Sequence, residues 1–138
     1  MGEIGDGFFE LQGIANALSV GTDAVLGAGR SSFLDYGIGT LILSLGAVAD
    51  IHRDLIVGDL GSGSVSITGG GALRVDQDIV LGRAAEGDGY MISVPGLISV
   101  GRNLTVGDGG VGALLMTNTD LDVNGIFTLG AAATGNGN

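Results

Sequence analysis

Apolar and polar residues alternate in short runs along this chain, and glycines punctuate the runs. The stretch "DLIVGDLGSGSVSITGGGALRVDQ", residues 54–77, reads as a strand, a glycine loop, a second strand, more glycines and a third strand. Its relatives occupy 78–102, 103–125 and the start of a further copy from residue 126. A register mark recurs: an aliphatic residue, spacers, a short strand and a glycine. It appears as "VGTDAVLG" at 20–27, "IHRDLIVG" at 51–58, "VDQDIVLG" at 75–82, "VGRNLTVG" at 100–107 and "VNGIFTLG" at 123–130. The steps between marks are 31, 24, 25 and 23 residues, a period that belongs to repeat solenoids. The long first step comes from an expanded loop, "GAGRSSFLDYGIG" at 27–39.

Within each repeat three runs alternate with the period of strands that bury one face. For the first run the predicted inward residues are Phe9 and Leu11, Leu41 and Leu43, Val65 and Ile67, Tyr90 and Ile92, Leu114 and Met116. The second run contributes Leu18 and Val20, Ala49 and Ile51, Leu73 and Val75, Ile98 and Val100, Leu121 and Val123. The third contributes Ala24 and Leu26, Leu55 and Val57, Ile79 and Leu81, Leu104 and Val106, Phe127 and Leu129. A short repeat returns each strand to the same face in the same direction, so equivalent strands stack in parallel and their inward side chains form ladders. The expected fold is all-β: a right-handed parallel β-helix of about five coils, three short strands each, about 24 Å tall. Residues 1–138 are read as a single solenoid domain.

Composition narrows the partners. The chain has 29 glycines, one proline, no cysteine and a net charge of −10 at pH 7. Its basic residues are five arginines, a poor basis for tracking phosphates, so no nucleic-acid partner is expected. No apolar stretch reaches the length of a membrane span, and no membrane insertion by this segment is expected. Lack of cysteine excludes disulfides and thiolate metal sites.

The phrases "LIVGDLGSGSVSITGGGALRV" and "NLTVGDGGVGALLMTNTDLDV" resemble the strand repeats of bacterial autotransporter passenger domains and related large surface β-helix proteins, over residues from about 7 to 130. The resemblance implies a cell-surface or secreted location and a longer parent chain. It implies no single activity, since such proteins include adhesins, toxins and proteases. The chain starts and stops in the same glycine loop, "GEIGDG" and "GAAATGNGN". The expectation is therefore either a segment of a longer solenoid or open ends that meet other copies.

Candidate chemistry is sparse. The glycine loops lack GxxxxGK[ST] and lead into no helix, so they read as corners rather than phosphate cradles. "GDGGVGALL" and "EGDGYMI" lack the nine-residue aspartate period of calcium-binding repeats. Asp23, Asp54, Asp78 and Asn103 share one slot, either as a cation-bridged ladder or as turn residues bonded to local backbone, with Arg53 and Arg102 beside them. Asp50 and Arg74 fall on equivalent outward positions and are expected to pair. His52, the single histidine, reads as an exposed turn residue, with no serine nucleophile that has an obvious base nearby. Asp120 and Asp122 read as a solvated face rather than a glycosidase pair, and Asn103-Leu104-Thr105 matches a glycosylation acceptor too short to be specific. No catalytic, cofactor or metal residue is assigned.

The functional expectation is a non-enzymatic structural or adhesin-like interaction segment with a protein or glycan partner. The alternatives are a self-assembling filament subunit and a carbohydrate-active β-helix enzyme. Two groups of residues are candidate contacts. Phe33 and Tyr36 lie on the expanded loop, and Phe8, Phe9 and Phe127 are placed at the solenoid ends.

Overall fold

The computed structural model describes residues 7–29, 37–131 and 135–138; Phe33 and Tyr36 fall outside these residues. The strands are β1 (Gly7–Gln12), β2 (Ala17–Val20), β3 (Ala24–Leu26), β4 (Ile38–Ser44), β5 (Val48–Ile51), β6 (Leu55–Val57), β7 (Ser62–Val75), β8 (Ile79–Leu81), β9 (Asp88–Val100), β10 (Leu104–Val106), β11 (Val111–Met116), β12 (Thr119–Val123), β13 (Phe127–Leu129) and β14 (Asn136–Gly137). All pairings among them are parallel and join one coil to the next. The fold is thus the expected parallel β-solenoid. Third-run strands form a five-stranded sheet in the order β13-β10-β8-β6-β3, and the first two runs share a nine-stranded sheet. They share it because β7 and β9 pass through the corner between runs unbroken, with a bulge between Thr68 and Gly71.

The corner after each register mark needs glycine on two counts. Gly27, Gly58, Gly82, Gly107 and Gly130 all have φ between 66° and 73°, a region that disfavours any Cβ. A second glycine then packs against the first: a Cβ on Gly89 would lie 2.4 Å from the Gly82 nitrogen, and one on Gly112 would lie 2.3 Å from the Gly107 nitrogen. The chain crosses itself here at backbone contact.

This second glycine sets the phase of the first run, and there one expectation is corrected. Gly63 pairs with Gly89, Val65 with Met91 and Ile67 with Ser93. Met91 and Ser93 therefore point inward and are fully buried, whereas Tyr90 is 41% exposed and Ile92 is half-buried. Alternation alone admitted either phase in "YMISV"; the corner glycine admits one. The inward serine is satisfied, because the Thr119 hydroxyl lies 2.9 Å from Ser93 Oγ and 2.8 Å from its carbonyl oxygen. The other middle-coil slots hold: Leu43, Ile51, Leu55, Val57, Val65, Ile67, Leu73, Ile79, Leu81, Ile98 and Val106 join one buried core.

Candidate functional site

Polar side chains on the outside of the solenoid bond mainly from coil to coil. The Asp23 slot is the clearest case. Asp54 N–H donates to Asp23 Oδ1 at 3.3 Å, Asp78 N–H to Asp54 Oδ1 at 3.1 Å, Asn103 N–H to Asp78 Oδ1 at 2.9 Å and Ile126 N–H to Asn103 Oδ1 at 3.0 Å. Each side-chain oxygen thus accepts the backbone N–H of the same slot one coil later. The expectation of local backbone bonding is corrected: a staggered spine joins the coils. Each of these oxygens accepts a backbone N–H, which offsets part of the repulsion between stacked carboxylates.

Arginines extend the pattern. Arg53 Nε lies 3.3 Å from Asp23 Oδ1, Arg74 Nη1 3.5 Å from Asp50 Oδ1 as expected, and Arg83 Nε 2.7 Å from Asp59 Oδ1. Each pairs with an aspartate of the preceding coil. The first two are exposed or half-exposed contacts that contribute modestly, whereas the Asp59 carboxylate is mostly covered.

His52 occupies a position that local sequence could not reveal. Its Nδ1 is 3.0 Å from Asp76 Oδ2 and its Nε2 is 3.2 Å from Ser19 Oγ. The three residues come from three successive coils and reproduce the connectivity of a nucleophile, base and orienting carboxylate. The expectation that no serine has a base nearby is corrected by this stacking. The surroundings differ from those of a hydrolytic centre, where the orienting carboxylate is buried. Here the Asp76 and His52 side chains are more than half exposed. Ser19 also faces away from the solenoid interior, where its neighbours Leu18 and Val20 line an apolar cavity. As placed, the trio is a polar bridge across three coils. Asp120 and Asp122 are both exposed on β12, and among the described residues no group of three or more His, Asp or Glu could hold a metal ion.

The two ends are the remaining sites. Phe9 aligns with Leu41, and Phe127 with Leu104, whose side chains are buried. Yet Phe9 is 46% and Phe127 47% exposed. They occupy core slots at which, among the described strands, the sheets end at β1 and β3 on one side and at β13 on the other. Phe8 aligns with Thr40 on the outward register and is more exposed still. The first coil holds an apolar cavity of about 210 Å³, partly open to solvent and lined by Phe9, Leu18, Val20, Ala24, Leu26 and Leu41, among others.

Comparisons with protein-family models, with curated proteins and with solved structures find no match to this chain.

Proposed function

We propose that the chain is a structural and interaction segment of a bacterial surface or secreted β-helix protein, a stiff acidic coil stack of adhesin type without catalytic chemistry of its own. The observation that carries this reading is the use made of the polar side chains. Asp23, Asp54, Asp78, Asn103, Arg53, Arg74, Arg83 and the Ser19–His52–Asp76 trio are engaged in contacts between successive coils. Such contacts stiffen a stack. A net charge of −10 keeps its flanks soluble and repels anionic surfaces. The strand-repeat resemblance supports the surface location.

The test is antibody labelling of cells of the source organism before and after permeabilisation, joined to turnover assays on polysaccharides. Labelling of intact cells without turnover is the expected result. Labelling only after permeabilisation, or glycan cleavage that survives purification to homogeneity, would overturn the reading.

A further inference from the structure

We infer that copies of this chain stack head to tail, with Phe127 of one copy seated in the first-coil cavity of the next. Slot identity argues for a second copy as the occupant. One inward ladder runs Ala24, Leu55, Ile79, Leu104 and Phe127, buried except at Phe127. The next rung, if another copy supplies it, is Ala24 again, so the largest side chain of the ladder meets the smallest. The cavity beside Ala24 is about 210 Å³, larger than the apolar cavity of about 150 Å³ that accommodates benzene in another protein. A phenyl ring therefore fits. Leu129 would likewise meet Leu26, continuing the ladder Leu26, Val57, Leu81, Val106 and Leu129.

The backbone continues in the same register. Within the chain, Gly58 N–H donates to the Leu26 carbonyl and Gly130 N–H to the Val106 carbonyl, while Ala24 N–H donates to the Asp54 carbonyl and Leu104 N–H to the Ile126 carbonyl. Extending both patterns across the junction joins Gly27 N–H to the Leu129 carbonyl and Phe127 N–H to the Asp23 carbonyl. Aligned parallel edges recruit strands in this way, and a head-to-tail contact need not close.

Two features weaken the junction relative to an internal rung. Ile126 stands where an aspartate or asparagine would offer an oxygen to the next coil, so the side-chain spine stops there. The short strand β14 pairs Gly137 with Gly112, and Gly39 pairs with Gly7 in the same slot. Thus Gly137 and Asn138 occupy the place that Gly7 and Phe8 of an incoming copy would take. Displacing β14 should therefore promote stacking. A Cβ on Gly137 would lie 2.1 Å from the Val106 carbonyl oxygen, so Gly137→Val ejects the strand without shortening the chain.

Sedimentation velocity over a wide concentration range is the test, at an ionic strength where the screening length is about 8 Å, so that the net charge of the copies is damped. Concentration-dependent growth is expected, strengthened by Gly137→Val and lost in Phe127→Lys with the circular dichroism unchanged. Ile126→Asn restores the missing acceptor and should lower the half-assembly concentration about fivefold, the effect of one net hydrogen bond. Because the chain has no cysteine, polarity can be read directly. A mixture of Leu26→Cys and Leu129→Cys copies should form the mixed disulfide in preference to either like pair. Monomers at every concentration for both the unsubstituted chain and Gly137→Val, or disulfides favouring like pairs, would overturn the inference and leave the structural role standing.

Discussion

Truncating Met91 and its neighbour Tyr90 separately to alanine tests the phase of the fourth coil, which alternation alone leaves open. Met91 is fully buried between Val65 and Leu114 of the adjacent coils. Met91→Ala removes three heavy atoms, a transfer loss of about 2.4 kcal/mol at roughly 0.8 kcal/mol each. The backbone ladders hold neighbouring rungs about 4.8 Å apart, so the void cannot collapse, and the cavity raises the total to about 3–4 kcal/mol. Tyr90 is flanked by Ser64 and Ala113 in the adjacent coils. With such small cross-strand partners and an exposed ring, Tyr90→Ala should cost about 1 kcal/mol or less. Urea titration followed by far-ultraviolet circular dichroism separates the two. At a slope of about 2 kcal/mol per molar, the midpoint should fall by about 1.5–2 M for Met91→Ala and by no more than about 0.5 M for Tyr90→Ala. Equal shifts, or a larger one for Tyr90→Ala, would refute the phase and the role given to Gly89.

Within β8 the same titration should rank Leu81→Ala, in the enclosed Val57–Leu81–Val106 ladder, at about 2–5 kcal/mol and the outward Val80→Ala well below it. Glycine corners separate strain from space. Gly70 (φ +79°) has nothing within 4 Å of a built Cβ, so Gly70→Ala should cost only the left-handed strain of about 1–2 kcal/mol. Gly82 (φ +68°) would place its Cβ 2.1 Å from the Val111 carbonyl oxygen, so Gly82→Ala should cost distinctly more; comparable melting temperatures for the two variants would count against the corner packing. In the aspartate spine, Asp54→Asn keeps the oxygen that accepts the Asp78 N–H and should be neutral or stabilising. Asp54→Ala leaves that N–H without its side-chain partner and should cost about 1 kcal/mol; equal losses in thermal denaturation would show that the carboxylate's charge, rather than its acceptor, is what matters.

Much of this architecture was legible because it is periodic. The marks at 20–27, 51–58, 75–82, 100–107 and 123–130 repeat a spacing, and a spacing is a property of the chain before it folds. Inward residues of the second and third runs could be named because each such run is tied to its mark by a constant offset. Glycine at the corner was equally readable, since a left-handed backbone selects it wherever the turn recurs.

What only the tertiary structure decided depends on contacts between coils, which carry no local signature. "YMISV" alternates acceptably in both phases, and the choice fell to the contact between Gly89 and Gly82. A usable signal was present in Gly63-Ser64-Val65, Gly89-Tyr90-Met91 and Gly112-Ala113-Leu114, where the inward residue follows two places after the second glycine. Asp54 looked like a turn residue because its partner, the Asp78 N–H, is 24 positions away. Ser19, His52 and Asp76 are strangers in sequence and become neighbours because two steps of unequal length end at adjacent rungs. The exposure of Phe9 and Phe127 is of the same kind. Their slots are those of the core, but burial there requires a further coil above or below, and a slot in a repeat does not say whether that neighbour exists.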